Sequence, residues 1–215
     1  RRVGKKGFTN AGLLRKRVIA GELVKTAAPI SANRFITSLL YSVENILILQ
    51  MLLLSGMNYK ASIETYGMLM GMAMPVLFFP SIVTGSLATA MIPAVSEAVS
   101  LKNYRLANSR IAKAIQLSFA VGFIFAALFY TYPGQLSDLL YKDINISNLL
   151  KLMSFTCIFM YLSQTLSGIL NGLGKQGANI RNSAVGKIIR IIFVLVLIPK
   201  IGIDGYMYGL MVSNI

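Results

Sequence analysis

AAPISANRFITSLLYSVENILILQMLLL, residues 27–54, is an apolar stretch that holds two formal charges, Arg34 and Glu44. As a helix it is roughly 42 Å long, against a hydrocarbon core of about 30 Å. That length places Arg34 near one edge of a bilayer and Glu44 well within it. At helical spacing Ser31, Arg34, Ser38, Tyr41 with Ser42, and Asn45 fall on one polar stripe, with Glu44 on its flank. The other side carries Phe35, Ile36, Leu39, Leu40, Val43, Leu47 and Met51. A span with such a stripe does not face lipid all round.

Two readings of the stripe remain. Hydroxyls and amides often join helices inside a membrane bundle, and for those groups alone that reading suffices. An arginine and a glutamate in the same span favour a functional cavity, because charge inside a membrane is costly and rarely kept without use.

The composition agrees with membrane residence. Of the 215 residues, 55% are hydrophobic and 13% charged, and the mean hydropathy is +0.67. A soluble domain of this size could not bury so many long apolar runs. The net charge of +14 does not point to nucleic acid, because no basic platform interleaved with aromatics is present. One cysteine, Cys157, excludes a disulfide within the chain. Without histidine, a cysteine cluster, a GxSxG motif or a phosphate-binding loop, no catalytic residue, metal site or cofactor is expected.

Residues 1–26 carry eight Lys/Arg and one acid, Glu22, and read as a basic cytoplasmic linker without a signal peptide. Its basic groups, like those of residues 93–113, suit anionic membrane lipids. Residues 27–215 read as one transmembrane unit with spans at about 27–54, 66–92, 111–131, 149–170 and 182–199. A sixth apolar run, 203–215, covers only ~20 Å, too short to cross, so the chain is expected to be a piece of a longer protein. Pro75 and Pro80 predict a kink or break in the second span. Gly67 and Gly71 form a GxxxG pair that predicts close helix packing. Residues 93–113 read as a polar connection along the membrane surface, and residues 132–147 as a loop. Ser163, Gln164, Ser167 and Asn171 make a second polar stripe. In the fifth span Lys187 can snorkel to the interface, whereas Arg190 lies ~12 Å in from Asn182.

Charge sets the expected orientation. With residue 1 on the cytoplasmic side, that side holds eight Lys/Arg in the tail, four in residues 97–113 and four in residues 175–190. The other side holds only Lys60, Lys142, Lys151 and Lys200. The positive-inside rule therefore predicts a multi-pass cell-membrane protein with residue 1 cytoplasmic.

Four blocks carry a family resemblance: NRFITSLLYSVENILILQ, YGMLMGMAMPVLFFPSIVTGSLATAMIPAVSEA, LSGILNGLGKQ and LIPKIGIDGYMYGL. Together they resemble the second half of transporters of the stage V sporulation protein B type. That group belongs to the multidrug/oligosaccharidyl-lipid/polysaccharide flippase superfamily. The resemblance runs from about Glu22 to the last residue. It implies an all-α membrane protein with two six-helix lobes around a cavity, working by alternating access. This chain would be the second lobe, and the missing N-terminal lobe of the same chain its partner. It also implies a lipid-linked saccharide cargo with a diphosphate headgroup, an oligosaccharide or a peptidoglycan precursor, and a place in cell-wall or sporulation chemistry.

On that reading Arg34, Lys187, Arg190, Ser38 and Asn45 are candidate substrate-binding residues. Three cations near the cytoplasmic half suit a diphosphate better than a cationic drug, so a multidrug or cation exporter of the superfamily is the alternative. A membrane-embedded glycosyl- or phosphotransferase is weaker still, because no two acids lie close in sequence. Ten residues from Arg34, Glu44 cannot pair with it on their own helix. It is therefore a candidate for ion coupling, or else a structural group bonded to a neighbouring helix.

Overall fold

The computed structural model describes residue 35, residues 37–142 and residues 146–214. Among these the chain is all-α: α1 (Thr37–Leu54), α2 (Tyr59–Gly67), a π-helical segment (Met68–Ala73), α3 (Met74–Phe78), α4 (Ser81–Ser100), α5 (Tyr104–Thr131), α6 (Pro133–Tyr141), α7 (Ser147–Gly172), α8 (Gln176–Ile201) and α9 (Ile203–Val212). Five segments are long and apolar enough to cross a membrane: Thr37–Leu54, Tyr59–Phe78, Ser81–Ser100, Tyr104–Thr131 and Ser147–Gly172. The α8 helix is 26 residues long and outside that group; its Lys187, Arg190 and Lys200 dilute its apolar character.

Residues 1–43 and 44–215 form two compact units. In the first, Phe35 is exposed, the described part of α1 exposes Leu39, Tyr41 and Val43, and the Ser42 hydroxyl donates to the Ser38 carbonyl at 3.1 Å.

In the second unit α7 is the hub, buried along much of its length against α4 on one side and α5 on the other. Small residues permit this. Along α5, Ala107, Ala114, Ser118, Gly122 and Ala126 are buried at spacings of seven and four, so the helix presents a nearly flat stripe. A methyl group on Gly122 would meet the Ile158 Cα at 2.9 Å. Across the other face, one on Gly168 would strike the Ala88 backbone, 2.7 Å from its Cα, and one on Gly172 would meet the Ile92 carbonyl at 2.9 Å. Gly168/Gly172 is thus a packed GxxxG pair. A methyl group added to Gly67 or Gly71 would meet no other part of the described residues within 4 Å, so the close packing expected there is not present among them.

Hydroxyl bonds join the three helices where their backbones come close. Ser118 Oγ and Thr165 Oγ1 are 2.6 Å apart, and Thr84 donates to Gln164 Oε1 at 2.7 Å. In hydrocarbon such groups have no water to turn to, so each satisfies the other. The outer faces are large and apolar, with Phe119, Phe123 and Ile124 of α5 exposed, a pattern suited to lipid.

The path from α2 to α4 shows what two prolines do. Pro75 has no N–H and its ring crowds the carbonyl four residues earlier. The turn before it widens, and the Met74 N–H reaches back five residues to the Leu69 carbonyl. At Pro80 the chain bends without reversing: Phe79 and Pro80 both keep right-handed helical dihedrals. Tyrosine and serine hydroxyls meet carbonyls in this stretch. Tyr161 donates to Leu77 O at 2.6 Å, Ser81 to Phe78 O at 2.6 Å and Tyr141 to Met72 O at 3.2 Å.

Helix limits differ from the sequence expectation in three places. The run read as one span over 66–92 extends from Tyr59 to Ser100, with its irregularities at 68–73 and 79–80. Residues 93–113, read as a connection, are helical except at 101–103; Pro93 is accommodated inside α4, and Asn103 caps α5 by accepting from the Leu106 N–H at 3.0 Å. Residues 132–147 contain α6, opened by Pro133 in the first turn, where the missing N–H costs nothing. Between α8 and α9 stands one residue, Gly202, at φ 67° and ψ −148°, a conformation open essentially to glycine alone. This allows α9 to fold back on α8. A methyl group on Gly205 would meet Leu197 at 2.7 Å, and one on Gly209 would meet Phe193 Cβ at 2.6 Å.

Candidate functional site

Glu44 is 1% exposed and begins a ridge on α1 that continues through Ile48 and Leu52, both fully buried. Spacing of four residues puts all three on one face. On α8 the same spacing aligns Arg190 with the buried Val194 and Ile198. The four apolar members of these ridges belong to one core with Tyr206, Met207 and Leu210 of α9. Where the ridges become charged, they form an ion pair. Arg190 Nε lies 2.7 Å from Glu44 Oε1 as a close ionic contact, while Arg190 Nη2 donates to Glu44 Oε2 at 2.9 Å. The planar guanidinium thus meets the carboxylate with two of its nitrogens. The arginine side chain is 16% exposed, so this pair is largely desolvated and each charge depends on the other.

Beside it α7, α8 and α9 enclose a cleft of about 700 Å³. Its walls bring Ser163 and Ser167 of α7 together with Asn179, Asn182, Ser183, Lys187 and Arg190 of α8, and with Ser213 and Asn214 after α9. Asn179 of this lining donates to Asn171 Oδ1 at 3.2 Å. The lining includes two cations and no carboxylate. Hydroxyls and amides can both donate to and accept from a polyhydroxyl or phosphate group, and the cations give the cleft a positive field.

The candidate residues divide accordingly. Lys187 and Arg190 both line the cleft. Glu44 does not; it stands behind Arg190 on a packed face rather than on a wet stripe. Asn45, next to it, is partly buried, and its Oδ1 has no hydrogen-bond partner among the described residues. Ser38 is exposed on α1 and belongs to the other compact unit. Arg34 lies outside the described residues, as do Ser31 and the linker over 1–26. The second polar stripe supplies Ser163 and Ser167 to the cleft, whereas Gln164 turns to Thr84. Sequence reading missed Asn179, Asn182 and Ser183. Their signal was polar residues at spacings of three and four before Lys187; Asn179 lies before the span expected at 182–199, and Asn182 and Ser183 stand at its very start, whereas α8 begins at Gln176. Among the described residues no group of three or more His, Cys, Asp or Glu could hold a metal ion.

Comparison with known proteins gives concordant matches. A family model described as MatE matches residues 35–196. Stage V sporulation protein B of Bacillus subtilis (strain 168) is 31% identical over 186 residues, covering 86% of this chain and 36% of that protein. Sporulation protein YkvU of the same organism is 27% identical over 161 residues, covering 75% of this chain and 36% of that protein. The uncharacterized membrane protein YabM, also from that organism, is 23% identical over 131 residues, covering 61% and 25%. The chain therefore spans about a third or less of the length of these curated relatives. No solved structure matches.

Proposed function

Since this chain belongs to the MatE family, we propose that it forms the second lobe of a two-lobe, alternating-access membrane transporter. We place residue 1 in the cytoplasm and assign the whole protein a lipid-linked saccharide with a diphosphate headgroup as cargo. The observation that carries this reading is the cleft between α7, α8 and α9, lined by Lys187, Arg190 and a set of hydroxyls and amides without a carboxylate. A cationic drug would meet two positive charges there, whereas a diphosphate is attracted and its sugar finds donors and acceptors. Similarity to a protein named for sporulation supports a role in that process.

In this mechanism Glu44 sets what Arg190 can do. While Glu44 is ionised, it holds the guanidinium at 2.7 Å. A proton or sodium ion arriving at the carboxylate would discharge that hold and leave Arg190 able to turn toward a phosphate in the cleft. The coupling and structural readings of Glu44 thus share one geometry. They differ in whether the pair opens during the cycle. On the sequence alone, Arg34 is assigned a phosphate contact of its own, as a guanidinium on the polar stripe of the first span.

The decisive experiment is flipping of a fluorescent polyprenyl-diphosphate sugar by the full-length protein in liposomes. Wild-type protein should expose the label to an external quencher, and Lys187→Ala should slow that exposure at unchanged protein levels. Equal rates in empty and protein-bearing liposomes would overturn the assignment of cargo.

A further inference from the structure

At the other end of α7, a second cavity of about 570 Å³ opens between α5, α7 and α9. Its polar groups, the mid-helix Tyr208 of α9 apart, stand at helix ends. Tyr130 is the next-to-last residue of α5, Asn148 and Lys151 lie within the first five residues of α7, and Asp204 is the second residue of α9. Its apolar groups run inward: Phe155 is one turn beyond Lys151, and Met207 and Met211 are one and two turns beyond Asp204, ~5 and ~10 Å deeper. The cavity is therefore polar at the rim and apolar below, the profile of the membrane interface itself.

Lys151 and Asp204 carry opposite charges on the walls of this one cavity, yet they are not an ion pair. Those among the described residues are Lys60 with Glu64, Arg110 with Glu97, and Arg190 with Glu44. The Lys151 ammonium instead lies over the Tyr130 ring, 5.3 Å from its centre, and Tyr130 meets Phe155 edge-on at 5.7 Å. The aromatic pair holds the cation to one wall. Opposite charges held apart on the walls of one cavity attract whatever carries both signs between them.

We propose that this cavity binds one phospholipid whose zwitterionic head ends in a primary ammonium. Its phosphate lies at Lys151, its ammonium at Asp204, and one acyl chain follows Phe155, Met207 and Met211. A carboxylate accepts hydrogen bonds from N–H groups, which a quaternary ammonium lacks. The ring face that could cage a quaternary ammonium is already covered by Lys151. An anionic head without an ammonium would leave Asp204 facing a like charge. The site is independent of the cargo assigned above.

Native mass spectrometry of the full-length protein tests this, with equal amounts of phosphatidylethanolamine, phosphatidylcholine and phosphatidylglycerol supplied in detergent. Wild-type protein should retain one phosphatidylethanolamine in preference to the other two. Asp204→Asn keeps a hydrogen-bonding group in the first turn of α9 but removes the charge, and should cut that preference about tenfold, the scale of one charge-assisted hydrogen bond. Lys151→Gln should weaken retention of all three lipids. Soluble phosphoethanolamine should fail to displace the lipid at equal concentration if the acyl chain contributes; displacement would place a free headgroup, not a lipid, in the site and overturn the proposal. Melting temperatures show whether the variants are folded. Equal retention of the three lipids by wild-type protein, or an unchanged preference in folded Asp204→Asn, would also overturn it.

Discussion

Replacing either member of the Glu44–Arg190 pair should destabilise the protein far more than replacing both. Glu44 is 1% and Arg190 16% exposed as side chains, so neither can turn to water when its partner goes. Glu44→Gln leaves a guanidinium facing a neutral amide, and Arg190→Gln leaves a carboxylate in the same position. Breaking a buried pair from one side costs about 3–5 kcal/mol. The double variant, Glu44→Gln with Arg190→Gln, removes both charges and leaves two amides that can bond to each other, so its loss should be well below the sum. For a unit of this size 1 kcal/mol corresponds to about 2–4 °C. Each single change should therefore lower the melting temperature by at least ~6 °C, and the double change by less than either alone. Heating in detergent followed by size-exclusion chromatography of the surviving fraction reads these values. The liposome assay then separates the two roles of Glu44. If flipping by Glu44→Gln keeps the wild-type dependence on pH and sodium, the pair is structural and ion coupling at Glu44 fails. Additive losses in the four-variant cycle would refute the pairing itself.

Gly168→Ala should cost about 1–3 kcal/mol, because its methyl group meets Ala88 backbone rather than a side chain that can rotate away. Gly71→Ala, with nothing within 4 Å, should be neutral or stabilise by up to ~1 kcal/mol; equal melting of the two variants would contradict the packing described. Tyr161→Phe removes one hydroxyl and strands the Leu77 carbonyl, and a loss of about 0.6–1.7 kcal/mol is expected from hydrogen bonds between membrane helices. An unchanged melting temperature would show that the carbonyl finds another donor. A cysteine at Lys102 should react with a membrane-impermeant reagent only from the cytoplasm and one at Lys142 only from outside, while buried Cys157 resists both; labelling of position 102 from outside would reverse the orientation.

The sequence alone determined what depends on near neighbours along the chain. Apolar runs of bilayer length made it a membrane protein, and prolines at 75 and 80 marked where the helical path would bend. Charge between the runs gave an expected orientation, and four blocks pointed to the transporter family. Local rules also misread some segments: residues 132–147 read as a loop but contain α6, which Pro133 opens because proline suits the first helical turn. The tertiary structure decided which groups meet. Periodicity tells which residues share a face, but not which helix that face will touch. So Glu44 was legible as a costly buried charge, yet its partner lies 146 residues away on α8. Likewise three GxxxG pairs look alike in one dimension, and only the approach of α4 to α7 and of α9 to α8 shows that Gly168/Gly172 and Gly205/Gly209 are packed. Both outcomes rest on contacts between distant segments, which are chosen by the mutual fit of whole helix faces rather than by any local preference.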